Sequence, residues 1–92
     1  MEVKPEEKKE QNQWVKFNED NPGDLATFTG TKVFVKFLEV CEERLAYYES
    51  ILESSRDNVD ILRAQGRVNV YKSQVHFLKH IENIVMGREN VV

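Results

Sequence analysis

The apolar positions of this chain fall into two long stripes and one broken patch. Phe34, Leu38, Cys41, Leu45, Tyr48 and Leu52 recur at alternating spacings of four and three. That recurrence keeps one face of an α-helix apolar. Phe37 and Ile51 widen the face, and no Gly or Pro interrupts residues 31–53. The pattern predicts a helix there, roughly 35 Å long. Thr29 or Thr31 is placed to cap it with a hydroxyl.

The run "ESSRDNVD" then breaks the rhythm. Its serines, aspartates and asparagine compete for local backbone bonds, so it predicts a turn. Asp57 is the expected cap of a second helix, with Asp60 near the positive end of the helix dipole. Residues 58–86 carry Ile61, Ala64, Val68, Tyr71, Val75, Leu78 and Val85 on one stripe. Phe77, Ile81 and Ile84 broaden it, and Gly87 is the expected stop. Two long helices joined by a short connection predict an antiparallel hairpin over residues 31–87.

The patch upstream is less regular. Residues 14–30 read "WVKFNEDNPGDLATFTG", with Trp14, Phe17 and Phe28 around a Pro-Gly turn signal. They suit either a small β-hairpin or irregular chain packed over the helices. Residues 1–13 are polar and of mixed charge, which predicts a flexible tail. Residues 88–92 form a second short tail. The expected fold class is therefore all-α: an antiparallel helical hairpin with an irregular or short-hairpin N-terminal segment.

The apolar faces are wider than two helices need for each other. In an antiparallel hairpin Phe34, Phe37, Phe77, Ile81 and Ile84 gather at the open end. This predicts self-association or docking on a protein partner through Trp14, Phe17, Phe28, Phe34, Phe77, Ile81 and Ile84. Some of these must also serve the chain's own core.

Composition narrows the classes. The chain has 92 residues, with 16 acidic and 13 basic side chains and a net charge of −3. A mildly acidic balance argues against a general nucleic-acid binder, which carries a basic excess. A single cysteine excludes an intrachain disulfide and suits a reducing compartment, so cytoplasm is expected. No apolar run approaches a membrane span, and no membrane association is expected.

Little of the chain suggests catalysis. His76 and His80 are four apart in "HFLKH", which lacks the glutamate of a zinc-protease helix. Cys41 falls on the buried stripe, where a thiol is inert packing rather than a nucleophile. No enzyme activity, metal or cofactor is expected. Arg56, Arg63, Arg67 and Lys72 form a basic series suited to an anion or nucleic-acid contact, although Asp60 can pair locally with Arg63. Gly66, inside "RAQGR", is expected to make room for a bulky residue of the facing helix, Tyr48. There is no phosphate-loop context around it.

The segments "FLEVCEERLAYYESILES" (37–54) and "LRAQGRVNVYKSQVHFL" (62–78) resemble small helical proteins encoded by tailed bacteriophages. Those proteins pair an "LEERL" helix with a serine-rich or acidic turn and a "QGR" helix. The resemblance implies a virion or assembly component with a homo-oligomeric, phage or host protein partner, in host cytoplasm or virion. It assigns no catalytic or ligand residues. The aromatic N-terminal segment lies outside the pattern, which leaves inhibition of a host protein as an alternative. A small nucleic-acid-binding or regulatory protein is another.

Overall fold

A computed structural model describes residues 5–87, with side chains from residue 13 onward. Among the described residues the fold is all-α, with four helices in the order α1 (Pro5–Asp20), α2 (Asp24–Thr29), α3 (Lys32–Ser54) and α4 (Asn58–Val85). The antiparallel α3–α4 pair dominates. Residues 5–13, expected as part of a flexible tail, are instead helical and open α1; residues 1–4 of that expected tail and the whole expected tail 88–92 lie outside the described residues.

The second long helix, α4, starts and stops where local chemistry dictates. The Asp57 carboxylate accepts from the backbone N–H groups of Val59 at 2.8 Å and Asp60 at 3.2 Å, capping α4. The Ser55 hydroxyl accepts from the Asp57 N–H at 3.3 Å and tightens the connection. Gly87, at φ 70°, takes the left-handed conformation that ends a helix without strain.

The expected irregular or β-hairpin segment over 14–30 is not what forms. No strand occurs among the described residues; Trp14 to Asp20 completes α1, and Asp24 to Thr29 forms α2. The Pro-Gly turn is real but joins helices. Asn21 doubly engages the Phe17 carbonyl, through its backbone N–H at 2.9 Å and its side-chain amide at 3.1 Å. Gly23 then turns the chain at φ 92° and its carbonyl accepts from Thr27. Thr31 is bonded backward, its hydroxyl donating to the Phe28 carbonyl at 2.8 Å.

The chain divides into two compact units, with boundaries between Thr31 and Lys32 and, inside α4, between Leu78 and Lys79. One unit holds α1, α2 and the C-terminal turns of α4. Leu25, Ile81 and Ile84 are buried there, and Trp14, Val15 and Val85 pack against them. The other unit holds α3 and residues 58–78 of α4. Phe34, Cys41 and Leu78 are its buried cluster, flanked by Leu38, Tyr71 and Val75. Ala64 and Val68 extend the buried stripe of α4 toward the turn.

Candidate functional site

The predicted contact residues separate into core and surface. Phe34 and Ile81 are each 2% exposed, and Ile84 is buried beside Leu25. These three hold the chain's own cores, which corrects their assignment to a partner surface. Trp14 is half-buried and meets Phe17 edge-on at 5.8 Å. Phe17, Phe28 and Phe77 keep substantial exposed area.

Larger exposed apolar groups lie on the α3–α4 pair. On α3, exposed Val33, Phe37 and Tyr47 and half-buried Val40 and Ile51 form a second stripe one residue out of step with the buried one, interrupted by Arg44. Val33 is 76% exposed. On α4, Val59, Leu62, Val70 and Phe77 lie on the face turned away from the buried stripe, and Leu62 is 73% exposed. None of Val33, Tyr47, Val59, Leu62 and Val70 stood among the predicted contact residues. The four-three spacing of the α3 stripe was the available signal.

Gly66 belongs to that outer face. It lies two residues beyond buried Ala64, which is about 200° around an α-helix. A Cβ built there meets nothing within 4 Å. Gly66 therefore does not make room for Tyr48 within this chain. Tyr48 instead stacks on Tyr71, with ring centroids 5.9 Å apart and planes at 7°. Tyr47 sets its ring edge-on against Tyr48 at 5.1 Å.

Polar cross-links pin α3 to α4 along one flank. The Arg44 guanidinium donates to the Tyr71 hydroxyl at 3.0 Å, a bond that raises the arginine pKa still further. The Cys41 thiol donates to the Gln74 side-chain carbonyl at 3.3 Å. Burial pushes the Cys41 pKa up, against a smaller lowering from the Arg44 charge. A raised pKa leaves little thiolate, so the group is poorly suited to nucleophilic attack.

The basic series does not form one surface. Arg63 and Arg67 share a flank, being four apart, whereas Lys72 lies half a helical turn from Arg63. Arg56 sits in the α3–α4 connection. All four are exposed, and among the described residues none pairs with a carboxylate within 4.0 Å. The expected Asp60–Arg63 ion pair is thus absent. Among the described residues the ion pair formed is Lys36–Glu39 at 3.6 Å, on the exposed surface of α3.

Where α3 meets the start of α4, a cleft of about 390 Å³ opens. Tyr48, Ile51 and Ala64 give it apolar walls, and Ser54, Ser55, Asp60 and Arg63 give it polar groups. The cleft joins residues on both sides of the turn, which is why no local sequence pattern announced it.

The two histidines differ in environment: His76 is exposed, whereas His80 is 6% exposed. Among the described residues no three His, Cys, Asp or Glu side chains gather as a metal site requires. No helix among them is long and apolar enough to cross a membrane. No protein-family model, curated protein or solved structure matches the chain.

Proposed function

We propose that this protein works through protein–protein contacts, with the outer face of α4 as the principal contact surface. One observation carries the reading. Val59, Leu62 and Val70 are all more than half exposed, on the face of α4 turned away from α3. Large apolar groups grouped on one face mark a contact surface more often than a solvated one. The exposed glycine at position 66 sits among them and leaves room for the backbone of an approaching helix. The second stripe on α3, from Val33 to Ile51, offers further area of the same kind. A homo-oligomer is the simplest such assembly, because any exposed patch is present on every copy.

The test is solution mass by light scattering across a wide concentration range, for the wild type and for Leu62→Gln/Val70→Gln. The substitutions keep helix propensity and charge while removing apolar area. The wild type is expected to gain mass with concentration and the variant to remain monomeric. A wild type that stays monomeric at every concentration removes self-association. Unchanged mass gain in the variant removes α4 as the surface.

A further inference from the structure

The cleft at the α3–α4 turn has chemistry that the protein–protein reading does not use. Its seven lining residues do not include Leu62 or Val70. Its volume of about 390 Å³ falls within the range of small-ligand sites, which starts near ~300 Å³.

Three features narrow the occupant. Arg63 enters the cleft without a carboxylate partner among the described residues, so its N–H groups are available to an anion. Guanidinium and phosphate match in charge and in donor–acceptor geometry. Tyr48, with one ring face already stacked on Tyr71, and half-buried Ile51 present an aromatic and apolar wall over buried Ala64, which favours a flat ring over a bare ion. Asp60 is the third feature. Its backbone N–H is taken by Asp57, while its carboxylate is left to accept from a ligand. A carboxylate beside an arginine disfavours an acidic peptide, whose side chains it repels. It favours a ligand that carries a phosphate at one end and N–H donors at the other. The Ser55 hydroxyl already accepts from Asp57 and retains its proton to donate.

From this arrangement we propose that the cleft binds a nucleotide, its phosphate on Arg63, its base against Tyr48 and its N–H edge toward Asp60. Free nucleotide and a nucleotide within single-stranded nucleic acid share this chemistry. Guanine suits Asp60 best, because its Watson–Crick edge offers two adjacent N–H donors. Uracil suits it least, because its single imide N–H lies between two carbonyls that repel a carboxylate.

The experiment is an amide-resolved NMR titration of the full chain with GMP, AMP, CMP, UMP, inorganic phosphate and a ten-nucleotide single-stranded RNA. Shifts confined to residues 48–64, largest for GMP and smallest for UMP, are expected. Arg63→Gln should weaken GMP binding about tenfold or more, since it removes the charge-assisted hydrogen bonds to the phosphate. Asp60→Asn should erase the preference for GMP over UMP. Both side chains are exposed, so both variants fold. RNA binding at least as tight as that of GMP in the wild type, lost with Arg63→Gln, identifies nucleic acid as the source; tighter GMP binding identifies free nucleotide. Equal shifts with inorganic phosphate, shifts outside the cleft, or no loss in Arg63→Gln would overturn the assignment.

Discussion

Single residues on α3 and α4 differ most in what surrounds the next atom that could be added or removed. Gly66 has open space where a Cβ would stand. A mid-helix glycine costs about 1 kcal/mol relative to alanine, and nothing in this chain's packing offsets that cost. Gly66→Ala is therefore expected to raise unfolding free energy in urea by about 1 kcal/mol. A loss of stability instead would mean that the helix packs more closely than the open space allows. Cys41 presents the opposite case, a buried group whose titration is coupled to folding. Its folded pKa is raised, so the stability tied to the neutral thiol is complete below the unfolded value. That stability is lost as pH rises through the raised folded value. The urea stability of the wild type should then fall more steeply from neutral to alkaline pH than that of Cys41→Ala. Parallel slopes would show that the thiol titrates alike in both states.

At the scale of elements, caps and stripes account for α3 and α4. Asp57→Ala removes the acceptor for two N–H groups and should cost about 1 kcal/mol in chemical unfolding, with Asp57→Asn close to wild type. Phe34 and Phe37 looked equivalent in sequence, as two members of one widened apolar face. Burial separates them: Phe34 is 2% exposed and Phe37 is 50% exposed. Phe34→Ala should cost about 3–5 kcal/mol, enough to unfold a small domain, whereas Phe37→Ala should change stability by about 0.5 kcal/mol or less. Similar losses for both would mean that Phe37 is covered in solution. The bounds of α3 and α4 were legible because each has a continuous stripe, a turn rich in capping residues separates them, and a stop glycine, Gly87, follows α4. The helices α1 and α2 were not. Trp14, Val15 and Leu25 are too few to show a period, and they become helical faces only against Ile81, Ile84 and Val85, more than fifty residues away. Such tertiary decisions override short-range propensity. The site was legible only in part: Arg63 and Arg67 stood out, but the phase of Gly66 was misread. The cleft needed the turn to bring Tyr48 and Ile51 beside Asp60 and Arg63.

At the scale of the whole molecule, exposed apolar area and net charge act against each other. A net charge of −3 at neutral pH keeps copies apart, weakly, and the isoelectric point lies near 5.4. Mutual repulsion therefore vanishes as pH falls toward that value, while the attraction between apolar faces does not depend on it. Salt narrows the difference by screening the charge. If α4 supplies the contact surface, low-salt light scattering of the concentrated wild type should rise to a maximum near the isoelectric point and fall again on its acid side. Leu62→Gln/Val70→Gln leaves every charge in place, so electrostatics alone would give it the same maximum at the same height. A maximum at the same pH but clearly lower in the variant would assign the attraction to the outer face of α4. Equal maxima would place it elsewhere, with the α3 stripe from Val33 to Ile51 as the next surface to alter.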